Sequence, residues 1–205
     1  MKTKRKKYKK HNKTKRVFKK KDFISGDGML TSVWGPSLWH YLHTMSFNYP
    51  INPTENDKKN YMTFILNLKS VLPCRYCREN LKNNLKKLPI TIKDMQNRHT
   101  FSKYVYDLHE LINNMLGKKS GLSYCDVRER YENFRSRCTK EEVKNKIVKI
   151  KLNKTRKIRK KDKGEAGCTE PFHGKKSKCV IKIVPTETKT PSFQMDKKCK
   201  KVKIN

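Results

Sequence analysis

Cys74-Arg75-Tyr76-Cys77 is the stretch of this sequence best suited to chemistry. Two intervening residues at a helix start let both sulfurs meet in a tight redox disulfide. The helix N-terminus, with Arg75 and Arg78 beside it, would stabilise a thiolate, the reactive form. A low-pKa thiol is also a good leaving group in exchange. The same spacing serves as half of a zinc site, but zinc commonly draws its remaining ligands from a second close Cys/His pair, and residues 27–138 hold none. An inert pair is the third reading. His109 and Asn113 come next: they stand at i and i+4, on one helix face flanked by Val105, Ile112 and Leu116. They are either core polar groups satisfied by backbone or contacts for a polar aromatic ligand lying in a helical bundle. Trp34, Trp39, His40, Tyr41, His43 and Tyr49 crowd one segment, as core or as a stacking wall for a flat cofactor.

These residues need helices to position them. Gly35-Pro36 predicts the start of a first helix, carrying Leu38, Trp39, Leu42, His43 and Met45 and closing before Tyr49-Pro50 and Asn52-Pro53. Tyr61, Phe64, Ile65 and Leu68 give a second over about 57–72. Pro73 breaks it, and the Cys pair opens a third, which Leu81, Leu85 and Leu88 continue to Pro89. Residues 89–99 read as a loop. Thr100 is the expected N-cap of a long helix bearing Phe101, Tyr104, Val105, Leu108, Ile112, Met115 and Leu116, stopped by Gly117. Ser123 with Asp126 resembles a capping box for a short helix with Val127, Tyr131 and Phe134. The fold class is thus all-α, four helices plus a short fifth. A thioredoxin-type domain would require a strand before the Cys pair; the run there has helical period.

Composition divides the chain of 205 residues. The net charge is +34, with +12 in residues 1–22, +7 in 23–138 and +15 in 139–205. All tyrosines but Tyr8, and both tryptophans, lie in the middle segment. The expected division is a basic disordered arm at 1–26, a compact domain at 27–138 and a basic, Cys-containing tail at 139–205. Lys146–Leu152 and Cys179–Val184 alternate basic and β-branched residues, so a small ribbon is the one ordered element expected in a mostly disordered tail. No apolar run is long enough to span a membrane, and no apolar core follows the basic N-terminus as in a secretory signal. Seven cysteines without such a signal argue against a secreted disulfide scaffold. The arms should bind polyanions in a salt-sensitive way.

Several pieces then coincide. Trp34-Gly35-Pro36-Ser37-Leu38-Trp39-His40-Tyr41-Leu42-His43-Thr44, with Tyr49-Pro50 after it, resembles the opening helix of the Erv/ALR family of FAD-linked sulfhydryl oxidases. Leu72-Pro73-Cys74-Arg75-Tyr76-Cys77 resembles that family's Pro-Cys-x-x-Cys site. Leu108-His109, Asn113 and Leu116-Gly117-Lys118 match its cofactor helix, and Val127-Arg128-Glu129-Arg130-Tyr131 its closing segment, where Trp often stands at the Tyr131 position. The match spans about 33–138, and the chain looks most like the compact members encoded by large DNA viruses.

The resemblance implies a four-helix bundle with a short fifth helix, a homodimer, and FAD bound without a Gly-rich dinucleotide fingerprint. It implies that Cys77 is the flavin-proximal sulfur and Cys74 the distal one, exchanging with a protein dithiol or a thioredoxin-like carrier. Electrons would pass to FAD and then to O₂, giving hydrogen peroxide. Gly35, Trp39, His43, Tyr49, His109, Asn113, Lys118, Arg130 and Tyr131 fall where family members hold FAD; no metal site is implied. A viral member would act in the host cytoplasm or the virion. The sequence departs from cellular members in lacking an extra Cys pair, at positions matching Lys86 and Tyr106, and any Cys before Cys74. Its tail has the single cysteines Cys168, Cys179 and Cys199 in place of a close shuttle pair. Cys125 and Cys138 cannot bridge along one straight helix, since thirteen residues span about 20 Å against the roughly 6 Å of a disulfide. The competing reading is a basic nucleic-acid-binding or packaging protein with a non-catalytic helical domain.

Overall fold

The computed structural model describes residues 19–24, 26, 28–138 and 167–201. Its helices are α1 (Lys20–Phe23), α2 (Thr31–Phe47), α3 (Glu55–Val71), α4 (Arg75–Lys87), α5 (Arg98–Met115) and α6 (Tyr124–Glu132). Helices α2 to α5 form the four-helix bundle and α6 is the short fifth. Helix α2 packs on α5 and α6, α3 on α4, and α5 also on α4 and α6. The shared core is Leu42, Tyr49, Ile65, Leu68, Leu81, Leu85, Met95, Phe101, Val105 and Leu108, drawn from all four long helices and their loops. A second cluster of Phe47, Val127 and Tyr131 fastens α6 to the end of α2. Arg135 completes that joint by donating to the Phe47 carbonyl at 2.5 Å while paired with Glu132.

Local chemistry sets the helix ends. Thr54 and Asp57 make a reciprocal capping box on α3, and Ser123 and Asp126 do so on α6 as expected from the sequence. On α5 the N-cap is Asn97, three residues earlier than Thr100. Thr100 instead stands at the third helical position and returns the hydrogen bond to the Asn97 N–H. Helix α2 also starts earlier than the Gly35-Pro36 signal. The Val33 and Trp34 N–H groups both reach the Leu30 carbonyl, and the Trp34 indole donates to the Met29 carbonyl at 3.0 Å. Pro36 therefore sits in the second turn, where it leaves the Ser32 carbonyl without the usual helical donor.

The tail departs from the expected ribbon. Lys146–Leu152 lies outside the described residues, and Cys179–Val184 forms no strand. The ribbon joins β1 (Ser136–Cys138) to β2 (Cys168–Pro171), antiparallel, with Cys138 and Cys168 as register partners. Residues 167–201 return to the end of α6. The Phe172 N–H donates to the Arg135 carbonyl at 2.9 Å, the Arg137 guanidinium lies over the Phe172 ring, and the Lys201 N–H donates to Asn133 Oδ1 at 2.7 Å. Residues 1–18, in the expected N-terminal arm, lie outside the described residues. Cys125 in α6 carries no disulfide, and neither do Cys179 and Cys199.

Candidate active site

Cys74 and Cys77 form a disulfide at the start of α4, with Cα atoms 5.2 Å apart. The local sequence dictates this. Pro73 stops α3, Cys74 takes the N-cap in extended backbone, and one helical turn brings Cys77 back over it. Cys74 Sγ accepts the Cys77 N–H at 3.2 Å, as an N-cap oxygen ordinarily would. Both sulfurs are half-buried, and Tyr76 between them projects to solvent at 64% exposure. The arginines expected to steady a thiolate are engaged elsewhere. Arg78 donates to the Leu72 carbonyl at 2.5 Å and so braces the α3–α4 turn, while Arg75 lies over the Tyr76 ring.

Helix α2 links this pair to an aromatic wall. At its first residue Thr31 Oγ1 stands 3.5 Å from Cys77 Sγ. Trp39 is eight residues farther on, about 12 Å along the axis. The Trp39 ring stacks on His109 of α5, centroids 3.8 Å apart and planes 6° from parallel. His43, one turn beyond Trp39, joins His109 through a 3.0 Å hydrogen bond between His43 Nε2 and His109 Nδ1. Tyr131 of α6 closes the group, its ring 5.2 Å from His43. The structure thus gathers Trp39, His43, His109 and Tyr131 from three helices into one cluster.

Burial keeps the imidazoles neutral. His43 is pushed down to about 3, chiefly by desolvation and then by the nearby His109, Arg130 and His40. His109 is pushed down to about 4 by burial, with Glu110 opposing and Lys118 reinforcing the shift. Burial likewise raises the Tyr131 phenol to about 12. One ring nitrogen, His43 Nδ1, is the only buried side-chain polar atom among the described residues left without a partner. An orphaned buried nitrogen is costly unless a ligand or a shift of its ring serves it.

The remaining predicted residues fall at the margins or elsewhere. Asn113 donates to Glu110 Oε1 at 3.0 Å, and its carbonyl accepts the Lys118 N–H at 2.8 Å, so both stand at the C-terminal end of α5. Arg130 is half-buried on α6. Gly35 lies inside α2, where a Cβ would make ordinary contact, 3.7 Å from Thr31 Cγ2. Tyr49 does not join the cluster. It is fully buried among Tyr61 and Phe101, its hydroxyl donates to the Met95 carbonyl at 3.0 Å, and its carbonyl accepts from Arg98. A tyrosine before a proline reads alike whether it faces a ligand or the core, and here the core claims it.

His40, named in the sequence only as part of the aromatic crowd, reaches the Tyr131 hydroxyl through Nδ1 at 3.4 Å. The structure also adds a residue that sequence reasoning left out. Phe193 of the tail lies under the Arg130 guanidinium at 4.7 Å and against His40 and Phe134; nothing local in its sequence announces this. A separate cleft of about 570 Å³, lined by Phe47, Asn97, Arg98, Tyr124 and Arg135 among others, contains none of the predicted residues. Among the described residues no group of three or more His, Cys, Asp or Glu is placed to hold a metal.

These features fit a flat, anionic aromatic cofactor. A stacked Trp–His wall offers a planar surface, His43 has an unused nitrogen, and Lys118 and Arg130 are close enough to depress the two histidines electrostatically. Comparison with known proteins agrees. The family model described as Erv1 / Alr family matches residues 36–135. The chain is 39% identical over 99 residues to a probable FAD-linked sulfhydryl oxidase of Acanthamoeba polyphaga mimivirus, covering 48% of this chain and 68% of that one. It is 32% identical to a putative FAD-linked sulfhydryl oxidase of Invertebrate iridescent virus 6, over 42% of this chain and 81% of the relative. Identity to the FAD-linked sulfhydryl oxidase of an African swine fever virus isolate is 31%, over 48% and 80%. The crystal structure of the yeast Erv1 core overlaps at a TM-score of 0.46 and 20% identity, covering 59% of this chain and 95% of its own. A disulfide poised at the head of α4, a histidine–tryptophan wall in the bundle behind it, and relatives matched over most of their own length lead to one statement: the chain belongs to the Erv1/Alr family.

Proposed function

We propose that the chain is an FAD-dependent thiol oxidase that makes disulfide bonds in protein substrates. The observation that carries this reading is the route along α2, from Thr31 at its first residue, 3.5 Å from Cys77 Sγ, to the stacked Trp39–His109 wall two turns away. FAD, when bound, supplies a two-electron acceptor and returns the electrons to O₂, giving hydrogen peroxide. Cys74, at the solvent-facing turn beside exposed Tyr76, exchanges with the substrate dithiol. Cys77, packed toward the core, is the sulfur that faces the cofactor. Trp39 and His109 orient the ring system from one side, and His43 and His109 serve as neutral hydrogen-bonding groups. Asn113, Lys118 and Arg130 hold the polar remainder, with Tyr131 at the edge and Gly35 letting α2 be approached closely. Tyr49 contributes from the core, by fixing the α2–α3 turn.

The finer assignments belong to the same proposal. The substrate is a protein dithiol or a thioredoxin-like carrier, and the enzyme works as a homodimer. The viral relatives favour action in the host cytoplasm, with the virion as the second site. Among the described residues no helix is long and apolar enough to cross a membrane. The packaging alternative is not favoured, because packaging calls for neither a poised disulfide nor an orphaned histidine against a stacked wall. The basic ends still bind polyanions in this reading, so removing 1–22 should let the chain leave heparin at lower salt while small-dithiol oxidation persists.

The test is the visible spectrum of the purified chain before and after dithiothreitol under air, with peroxide measured in parallel. A flavin band that bleaches with thiol and recovers with oxygen supports the oxidase. A colourless chain that takes up no added FAD overturns it.

A further inference from the structure

The two sulfurs of the disulfide have different hydrogen-bond donors, and one of them is outside the Cys-x-x-Cys motif. Cys74 Sγ accepts from the Cys77 backbone N–H at 3.2 Å. Cys77 Sγ stands 3.5 Å from Thr31 Oγ1. A disulfide sulfur carries no hydrogen, so the hydroxyl is the donor. Thr31 is delivered there by a strap. Gly28 makes an antiparallel backbone bridge with Cys74, and the Met29 N–H donates to the Pro73 carbonyl at 2.7 Å. The strap lies so close that a Cβ on residue 28 would stand 2.7 Å from the Pro73 oxygen and 2.9 Å from Cys74 Cα, which only glycine avoids.

Among the described residues no charged side chain hydrogen-bonds Cys77 Sγ. Arg75 and Arg78 on α4 are held by Tyr76 and the Leu72 carbonyl. From Thr31 to Trp39, α2 has no ionisable side chain. On α3 the last cation, Lys69, is exposed, and on α5 His109 is neutral at physiological pH.

We propose that Thr31 is a further catalytic residue of this site: its hydroxyl holds Cys77 as a thiolate once the disulfide opens, and thereby directs attack to Cys74. This rests on the oxidase reading. A substrate thiolate, its proton lost to solvent, attacks Cys74 Sγ. The Cys74–Cys77 bond breaks, a substrate–Cys74 disulfide forms, and the electron pair leaves on Cys77 Sγ, where the Thr31 O–H receives it. The second substrate thiolate then attacks the substrate sulfur of the mixed disulfide and releases Cys74, which takes up a proton. The substrate has lost two electrons and the Cys pair has gained them. Of the two substrate protons, one rests on Cys74 and one is in solvent. A better-stabilised leaving thiolate speeds exchange at the opposite sulfur.

The experiment uses the full chain with Cys74→Ser, so that Cys77 is the only thiol left of the pair. It compares Thr31 with Thr31→Val and Thr31→Ser. The rate of iodoacetamide alkylation of Cys77 is followed against pH by peptide mass spectrometry, which separates it from the other cysteines. Shielding by neighbours alters the absolute rate but not the midpoint. Thr31→Val should raise the midpoint by about half to one pH unit, a threefold to tenfold loss of thiolate below it, and Thr31→Ser should restore it. The proposal is overturned if the valine variant titrates like the parent, or if serine shifts the midpoint as far as valine. Thr31 is exposed, so neither change endangers folding; equal far-UV circular dichroism confirms this, and Thr31→Ala repeats the comparison if valine perturbs it. A wild-type chain that takes up no FAD would sink the oxidase reading yet leave these midpoints interpretable. Unmoved midpoints in a chain that bleaches and recovers would sink only the role of Thr31.

Discussion

Acidification should destabilise this protein well before its carboxylates titrate. The perturbation is a fall from pH 7.5 to pH 5, and the groups responsible are His43 and His109. Both take a proton at about 6.5 when unfolded, but only at about 3 and about 4 when folded. Their folded values are depressed, so acid favours the unfolded state. The folded chain keeps its full stability above about pH 6.5 and loses it progressively as pH falls toward the folded values. Each neutral buried imidazole forfeits about 1.4 kcal/mol per pH unit inside that window, hence about 2 kcal/mol by pH 5 and about 4 kcal/mol for the pair. That is a large share of the 5–15 kcal/mol typical of a folded domain. Asp57, Asp126 and Glu132 are held below the ordinary carboxylate range by hydrogen bonds, so their losses come at lower pH. The assay is urea unfolding by circular dichroism at pH 7.5, 6.5, 5.75 and 5, with His109→Gln as the companion, which should lose about half as much. Stability constant to within about 1 kcal/mol over this range would refute the picture of two buried neutral histidines.

Three further outcomes are expected. Cys77→Ser should abolish dithiol-driven peroxide formation while FAD stays bound, as read from the spectrum of the purified variant; undiminished turnover would remove Cys77 from the electron path. His109→Ala takes away the ring that stacks on Trp39 and the partner of His43, and should lower the FAD content after gel filtration several-fold; unchanged content would place the cofactor elsewhere. Arg135→Ala leaves the buried Phe47 carbonyl without its charged donor and should cost about 2 kcal/mol in urea unfolding, whereas a loss below about 0.5 kcal/mol would mean that solvent replaces the guanidinium.

What was legible in the sequence followed local rules. Helices α3 and α4 could be read from apolar spacing around Pro73, and α6 from the Ser123–Asp126 box, because each signal acts within a few residues. The start of α2 was not legible, since the chain just before Thr31 is held by bonds that Gly28 and Met29 form with Cys74 and Pro73, more than forty positions away. The Asn97 cap was missed because Thr100 is an equally good cap by type, and only the reciprocal bonds show which residue leads. The family resemblance picked out Trp39, His43, His109 and Tyr131, and the fold gathers them. It could not tell Tyr49, claimed by Met95 and Phe101, from a ligand contact. The same limit hid the engagement of Arg75 and Arg78 away from the sulfurs. Strand β2 pairs with β1 across residues 139–166, so alternation within either segment said nothing about register, and Phe193 carried no signal at all.

The ribbon also makes the tail's attachment a matter of loop closure. Residues 167–201 are held to the end of α6 at several points, and the pairing of β1 with β2 sets Cys138 opposite Cys168. The entropy of closing a loop grows only with the logarithm of its length, so doubling a connection costs about 0.6 kcal/mol. Sequence added between β1 and β2, a tag or a whole module, should therefore cost the paired strands little.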